Sequence, residues 1–351
     1  MNTLSNKNIH YKKIKEISMK FSITRRLAAF IVLSSLFLLT GCQSSTSSGK
    51  EVTLNEVAHS VFYAPQYVAI ELGYFKEEGI NLKLVTGFGA DKTMTALVSK
   101  EADIGFMGSE ASIYLYAEGA NDYAVNFAQL TQRAGNFLVS RTPIDNFSWE
   151  QVNGKEIIGG RKGGMPQMLL EYILKQHQID PSKDVSLVQN IDFANTSGAF
   201  IGGTGDFTVE FEPSATLIEQ QHAGYVVASL GVESGFVPYT AYCALESYIN
   251  ENPETIAAFT RAIQKGLDYV NAHSADEIAT VIAPQFPELD QDTLSIIIER
   301  YQAQETWNDD LIFREDSFEL LQTILMQSGE LSTNVPYDQL VSTRFADDAK
   351  K

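Results

Sequence analysis

The side chains best suited to chemistry directly follow predicted strands in the first half of the chain. They are aromatic or polar: His59, Phe62, Tyr63, Phe88, Asp91, Ser109 and Glu110. Aromatic rings stack against flat molecules, and a few hydroxyl, imidazole or carboxyl groups then fix the orientation of the bound molecule. This combination predicts a binding site for a small molecule. Two alternatives stay open: the aromatic residues pack within their loops, and Asp91 or Ser109 caps the helix that follows.

A second set of candidates lies further along the chain: Asn136, Gly164, Met165, Thr208, Glu210 and Tyr239. Glu210 is the most informative, because residues 207–211 alternate as in a strand and a carboxylate in a covered strand is costly unless it is paired. We therefore expect Glu210 or Glu212 to face a cleft and to accept hydrogen bonds from the N–H groups of a ligand. A salt bridge to a lysine or to Arg133 is the alternative.

A pair of glycines, Gly163 and Gly164, stands between a predicted strand and the helix that begins near Met165. Glycine lets the backbone approach a ligand closely, and the free N–H groups at a helix start suit an acceptor or an anion. An ordinary turn between strand and helix explains the same glycines. Pro166 removes one N–H donor from this helix start.

The elements that must position these residues form two successive cycles of alternating strands and helices, which predict βαβ units and mainly parallel sheets. Segments 137–140 and 239–245 are the candidate crossings between the two halves. Ligands in such sheets bind beyond the carboxyl ends of the strands. Asn136 is therefore expected to line a hinge, and Tyr239 is expected to close over the ligand.

From Pro253 onward the pattern is mainly helical, for example over residues 291–303. We expect an α/β fold with two lobes, two crossing segments and a helical C-terminal cap. The predicted lobes are residues 51–137 plus 241–351 and residues 138–240.

The first 42 residues have the pattern of a secretory signal. Basic residues up to Arg26 precede an apolar stretch over 27–39, which is too short for a comfortable membrane span and ends close to Cys42. The pattern resembles a bacterial lipoprotein signal, in which cleavage occurs before the cysteine and the cysteine is lipidated. An uncleaved membrane anchor is the alternative, and Met19 is an alternative start. Residues 43–50 are expected to be a flexible tether, so the protein is predicted to be anchored by lipid on the extracytoplasmic face of the cell membrane.

The sequence lacks the motifs of several other kinds of site. The histidines lack the spacing of metal ligands, and no P-loop, nucleophile-elbow or complete dinucleotide-binding motif occurs. We predict no catalytic residue, no metal and no cofactor. The formal charge is −18, and residues after Cys42 carry about −24, which disfavours nucleic acid as a partner. Cys243 has no partner once Cys42 is lipidated and is expected to be buried.

Several segments resemble one family of binding proteins. They are residues 74–80 within GYFKEEGINLKLV, residues 97–105, the pair Gly163-Gly164, Asp206 and Glu212-Pro213. The family is the periplasmic-binding-protein-like group that includes receptors for sulfonates, taurine, nitrate and the pyrimidine precursors of thiamine. Lys100 departs from the pattern, where glycine is more usual. The resemblance covers about residues 52–330 and implies a type II periplasmic-binding-protein-like fold whose lobes close on a small molecule. It also implies ABC permease and ATPase subunits as partners, and we expect a monomer.

The residue types at the predicted site favour one class of ligand. Aromatic loop ends, Glu210 and the negative body favour a nitrogen-heterocyclic aromatic molecule, such as a thiamine-precursor pyrimidine. A sulfonate, taurine or nitrate ligand is the nearest alternative, although the helix start at Gly164 lacks hydroxyl groups. A eukaryotic branch of the family resembles a pyrimidine synthase that depends on a cysteine-rich segment, which this chain lacks. We therefore expect a receptor and not an enzyme; a lipoprotein that senses or adheres without transport is the third class.

Overall fold

Ten strands form two five-stranded sheets in residues 49–351, the part of the chain that the computed structural model describes. In chain order they are β1 (Lys50–Glu56), β2 (Ile80–Thr86), β3 (Ile104–Gly108), β4 (Ala124–Thr131), β5 (Asn136–Ser140), β6 (Glu156–Ile158), β7 (Ser186–Val188), β8 (Phe207–Phe211), β9 (Tyr225–Ser229) and β10 (Thr240–Leu245). The first sheet has the order β2-β1-β3-β10-β4, and the second has the order β7-β6-β8-β5-β9. The chain therefore crosses once between β4 and β5 and returns before β10.

Each sheet contains one reversed strand. In the first sheet β1 is parallel to β2 and β3, whereas β10 is antiparallel to both of its neighbours. In the second sheet β6 is parallel to β7 and β8, whereas β5 is antiparallel to both of its neighbours. A strand that enters its sheet from a crossing starts at the edge where the other strands end, so it must run in the opposite direction. Four of the five strands in each sheet run in the same direction, as a mainly parallel sheet requires, and the reversal of β5 and β10 was not predicted.

Fifteen α-helices surround the sheets within residues 49–351. In chain order they are α1 (Ala64–Glu71), α2 (Tyr74–Glu77), α3 (Ala90–Val98), α4 (Glu110–Ala117), α5 (Met165–Gln176), α6 (Thr196–Ile201), α7 (Ser214–Gln220), α8 (Leu230–Ser234), α9 (Glu246–Glu251), α10 (Pro253–Ala272), α11 (Ala275–Ile282), α12 (Gln291–Ala303), α13 (Glu315–Ser328), α14 (Tyr337–Leu340) and α15 (Arg344–Ala349). The alternation of strands and helices confirms the predicted α/β class.

The C-terminal helices pack against elements of both sheets, which confirms the predicted helical cap. The longest of them, α10, buries Ile256, Phe259, Ile263 and Leu267, whose spacing of three and four residues places them on one helix face. This helix packs on α1, α2 and α15, while α13 packs on α5 beside the second sheet.

Two local predictions are wrong. Asp91 does not cap its helix: α3 begins at Ala90 with Gly89 as its N-cap, and Asp91 lies in the first turn. Residue Lys50 is not part of a tether, because it pairs with Ile80 as the first residue of β1. The lobe boundaries at 137/138 and 240/241 stay a prediction, and the strands that flank them begin at positions 136 and 240.

The predictions for the leader fall outside the described residues. They comprise the signal over 1–42, the alternative start at Met19, the lipid on Cys42 and the tether up to residue 48. Between residues 49 and 351, no helix combines the length and the apolar character needed to cross a bilayer. Cys243 in β10 is buried and has no disulfide partner, as predicted. Burial raises the pKa of its thiol to about 12.

Candidate functional site

The carboxyl ends of the parallel strands of the two sheets lie next to each other, where ligands bind in open α/β sheets. Three contacts join the loops and helices that follow these ends: the ion pair Asp91–Arg161 at 3.3 Å, the Tyr114 hydroxyl at 3.5 Å from Met168 Sδ, and the Ser60 hydroxyl donating to the Glu212 carbonyl at 3.1 Å. The two sides therefore touch along a closed seam between the sheets, which we call the crevice. The loops after β1, β2 and β3 form one wall, and the loops after β6 and β8 form the other.

An aromatic cluster lies where the crevice meets the two crossings. The ring centroid of Phe62 is 5.2 Å from that of Tyr63, 5.9 Å from Phe211 and 5.7 Å from Tyr239. The Phe62 and Tyr239 rings meet edge to face at 80°. Tyr63 also meets the Phe106 ring at 4.5 Å. These rings offer the flat, rigid surface that stacks on aromatic ligands.

The position of Phe62 is fixed by contacts with the neighbouring Ser60 and with two distant parts of the chain. Its N–H donates to the Ser60 hydroxyl at 3.3 Å, and its carbonyl accepts from the Trp307 indole at 3.0 Å. At Gly135, in the first crossing, a Cβ atom would lie only 2.6 Å from the Phe62 ring. The crossing therefore runs directly against the ring, and only glycine fits there.

Three buried polar side chains beside this cluster have atoms without a hydrogen-bond partner: Glu110 Oε2, both amide atoms of Asn136, and the Tyr239 hydroxyl. The three side chains act on one another: burial and then the Glu110 carboxylate raise the pKa of Tyr239, and a side-chain contact from Asn136 to the Tyr239 hydroxyl, too poorly aligned to count as a full hydrogen bond, opposes this rise. A buried polar group without a partner costs about 1–3 kcal/mol. Such a group is rare and needs an explanation, and a bound ligand supplies one.

Glu110 is the first residue of α4, two residues after the end of β3. Its carboxylate folds back over Gly108, where a Cβ atom would lie 2.1 Å from Oε2. Burial raises the pKa of Glu110 to about 7, and a hydrogen bond from its own backbone N–H opposes the rise. Near neutral pH this carboxyl group therefore exists in both protonation states.

Glu210 occupies a separate buried site within β8. It accepts hydrogen bonds from the Thr208 hydroxyl at 2.7 Å and from the Thr196 hydroxyl at 3.1 Å. Burial raises the pKa of Glu210 to about 7. The alternative of a salt bridge to Arg133 is wrong, because Arg133 pairs with Glu305 at 3.1 Å.

Glu212 also has partners within the protein. It pairs with Arg300 of α12 at 2.5 Å and accepts two hydrogen bonds from Thr216. Glu212 is therefore a contact between the second sheet and the C-terminal helices.

Two predicted ligand residues already have protein partners. The ring nitrogens of His59 lie 2.9 Å from Glu56 Oε1 and 2.9 Å from the Gln285 carbonyl. The Ser109 hydroxyl donates to the Pro238 carbonyl at 2.7 Å and so contacts the second crossing. A ligand would have to displace one of these partners to bind His59, whereas the Ser109 hydroxyl can still accept a hydrogen bond.

The remaining predicted residues lie on both walls of the crevice, and two of them are exposed to solvent. Phe88 is 73% exposed. Asp91, also exposed, faces Arg161 across the crevice. On the second wall, Gly164 caps α5 and Met165 is buried. The preceding N–H, that of Gly163, donates to the Gln167 side chain at 2.9 Å.

The structure thus brings together five of the predicted residues: Phe62, Tyr63, Glu110, Asn136 and Tyr239. The ligand-binding role of every predicted residue stays a prediction. Sequence reasoning missed Phe211, because an apolar residue in an alternating strand pattern suggests core. Among residues 49–351, no three His, Cys, Asp or Glu side chains come together in a way that could hold a metal ion.

Comparison with known proteins gives the family. Residues 61–277 match the family model described as NMT1/THI5 like. YtlA of Bacillus subtilis strain 168, whose name describes it as a binding protein, is 48% identical over 312 residues, which cover 89% of this chain and 93% of YtlA. The formylaminopyrimidine-binding protein of Halalkalibacterium halodurans is 25% identical over 290 residues, covering 77% and 85% of the two chains. The 4-amino-5-hydroxymethyl-2-methylpyrimidine phosphate synthase of Aspergillus parasiticus is 24% identical over 225 residues, covering 61% and 64%.

Solved structures share the fold at low sequence identity. The alkanesulfonate-binding protein SsuA from Xanthomonas axonopodis pv. citri, bound to MOPS, matches with a TM-score of 0.68 and 13% identity, covering 84% of this chain and 98% of SsuA. The periplasmic nitrate-binding protein NrtA from Synechocystis PCC 6803 matches with a TM-score of 0.66 and 16% identity, covering 85% and 88%. These matches confirm the two-lobed periplasmic-binding-protein fold. With the family match and the relationship to YtlA, they lead to one conclusion: the chain belongs to the NMT1/THI5-like family.

Proposed function

We propose that this protein binds a small nitrogen-heterocyclic aromatic molecule, of the thiamine-precursor type, between its two sheets and delivers it to an ABC permease. The receptor class follows from the family and the fold: the chain is a solute-binding protein of the ABC-import type. The name of the formylaminopyrimidine-binding relative is consistent with the proposed ligand.

The unpartnered polar atoms beside the aromatic cluster carry the proposal. A carboxylate such as Glu110 accepts hydrogen bonds from ring amino groups. The Asn136 amide offers a donor and an acceptor side by side, which match an amino group next to a ring nitrogen. The Tyr239 hydroxyl can donate to a second ring nitrogen. One flat ring with alternating nitrogens and amino groups would therefore satisfy all three side chains while stacking on Phe62 or Phe211.

The same site disfavours an anionic ligand. The charged groups that act on Tyr63 are the Glu56 and Glu110 carboxylates, and Glu110 also acts on Tyr239. A sulfonate placed among these residues would lie beside a carboxylate, and like charges in a buried site repel strongly. Arg161 carries a positive charge at the crevice but pairs with Asp91.

Ligand entry requires movement, because the rings of the cluster are in contact with one another. We propose that the sheets separate about the two crossings and close again over the ligand, a hinge motion between two lobes. The boundaries proposed for these lobes are residues 51–137 plus 241–351 and residues 138–240. Identical small-angle scattering with and without a saturating ligand would contradict the motion.

The ligand is tested by isothermal titration of the protein with 4-amino-5-hydroxymethyl-2-methylpyrimidine, taurine, ethanesulfonate and nitrate. We expect binding of the pyrimidine and at least a tenfold loss of its affinity in Asn136→Leu. Asn271→Leu is the matched control, because Asn271 is exposed on α10 and outside the crevice. Binding of a sulfonate but not of the pyrimidine would overturn the ligand choice. Equal pyrimidine affinity in Asn136→Leu and the control would overturn the site.

We also infer that binding proceeds without turnover, as in the relatives that are named binding proteins. Mass spectrometry of the pyrimidine after long incubation with the protein should return the unchanged mass. Appearance of a modified product would contradict this inference and would favour an enzymatic activity instead.

We also propose that the protein is anchored to the membrane by a lipid on Cys42 and that it acts as a monomer. Both rest on the sequence pattern, since Cys42 lies before the described residues. Cells that express Cys42→Ser should release the protein from the membrane fraction, whereas the unaltered chain should stay in that fraction. Equal retention of both would argue for the uncleaved anchor.

A further inference from the structure

A cavity of about 670 Å³ lies beside the two crossings and is not lined by the rings of the aromatic cluster. Gln132 of the first crossing and Phe236 of the second form one side, and the segment around Trp307 forms the other. This volume falls within the range of about 300–1,000 Å³ that is usual for small-molecule sites. The cavity therefore has the size of a second binding site.

The glutamine side chains of this cavity have their N–H groups engaged by the backbone. Three lining glutamines, Gln129, Gln132 and Gln302, each donate their side-chain N–H groups to backbone carbonyls. Their side-chain oxygens are therefore the atoms left for a ligand. Gln129 is only 7% exposed, and its Oε1 atom is buried without any partner. The accessible acceptors are the oxygens of Gln132 and Gln302, whose N–H groups are engaged, and they favour a molecule that donates hydrogen bonds.

The charges and rings in the cavity favour a cation. Asp309 and Asp316 contribute carboxylates to the lining, and a third lining carboxylate, Glu305, pairs with Arg133 at 3.1 Å. The lining cation, Arg314, pairs with Asp310 outside the cavity at 3.0 Å. Half-exposed Phe236 has the Arg133 guanidinium 4.1 Å from its ring centroid, so its ring already binds a planar cation.

We propose that this cavity is a second ligand site, selective for a small organic cation with amine or guanidinium groups. Such a cation can donate to the side-chain oxygens of Gln132 and Gln302, approach the Asp309 carboxylate and lie near the aromatic rings of Phe236 and Trp307. Because the site uses residues from both crossings, its occupant contacts the segments about which the sheets would move. The proposal does not depend on the ligand of the crevice.

The test is isothermal titration of the protein with agmatine, which carries an amine and a guanidinium, and with 1,5-pentanediol, a neutral chain of similar length. We expect saturable binding of agmatine and none of the diol. Asp309→Asn should weaken agmatine binding at least fivefold, since the substitution keeps the shape and removes the charge. Phe236→Leu should weaken it as well.

Two controls separate this site from others. Asp292→Asn, in the first turn of α12 and away from the cavity, should leave agmatine binding unchanged. Glu110→Gln should also leave it unchanged, because Glu110 belongs to the crevice. Equal agmatine affinity in Asp309→Asn and Asp292→Asn would reduce the effect to a general attraction to an acidic surface and would overturn the proposal. So would equal binding of the diol, or loss of binding in Glu110→Gln.

Discussion

The buried carboxyl group of Glu110 leads to a prediction about stability that changes with pH. Its pKa rises from 4.5 to about 7 in the folded protein. Between these two values the folded state holds a proton that the unfolded state has lost. The contribution of Glu110 to stability therefore falls as the pH rises from about 4.5 to about 7. Each pKa unit corresponds to about 1.4 kcal/mol, so the full loss above pH 7 is about 3 kcal/mol.

Glu110→Gln removes this ionisation while keeping the shape of the side chain. The variant should match the unaltered protein at pH 4, where Glu110 is protonated in both states. At pH 8 it should be more stable by up to about 3 kcal/mol, and its affinity for a heterocyclic ligand should fall. Urea unfolding at pH 4, 6 and 8 measures the first effect, with exposed Glu101→Gln as the control. The reasoning fails if the stability difference between Glu110→Gln and the unaltered protein is the same at pH 4 and pH 8.

Three further predictions concern the crossing, a buried pair and the crevice. Gly135→Ala should destabilise the protein by about 1–3 kcal/mol in urea unfolding, because the new Cβ would overlap the Phe62 ring. Gly198→Ala in α6 is the control: its Cβ would meet no atom within 4 Å, so this variant should be neutral or stabilising. The Glu56 carboxylate raises the pKa of His59, so His59→Gln should lose stability at pH 5.5 and little at pH 8.5; an equal loss at both would contradict this sign. Arg161→Gln should change the free energy of unfolding by less than about 1 kcal/mol, since the pair with Asp91 is exposed; a larger effect in urea would show that the crevice contact is buried in solution.

Local pattern was sufficient for many elements of this fold. The bounds of α12 and β8 agree with the predicted ranges 291–303 and 207–211. In both cases a regular hydrophobic period runs the whole length of the element, so few alternative assignments compete. The direction of β5 and β10 was not predictable in this way. It depends on which edge of a sheet the chain enters, and this is a property of the tertiary structure.

The candidate site was likewise predictable only in part. Residue types after strands drew attention to Phe62 and Glu110, and the predicted crossing drew attention to Asn136; the three lie together in the structure, and their role in binding stays a prediction. Partners far away in sequence were missed, because no local pattern links Asp91 to Arg161 or Glu212 to Arg300. Glu210 shows the remaining difficulty. Its burial was expected from strand alternation, but the hydroxyl groups that surround it are set by the packing of α6 against β8.

The burial of Cys243 makes the protein suitable for site-specific labelling with fluorescent dyes. It is the sole cysteine between residues 49 and 351, and it is 1% exposed in the middle of a sheet. Maleimide dyes should therefore react only with thiols that are introduced at the surface. With Asp91→Cys and Arg161→Cys, a donor and an acceptor dye would sit on opposite walls of the crevice. Energy transfer between them would then record each opening and closing of one molecule, with the native cysteine left in place.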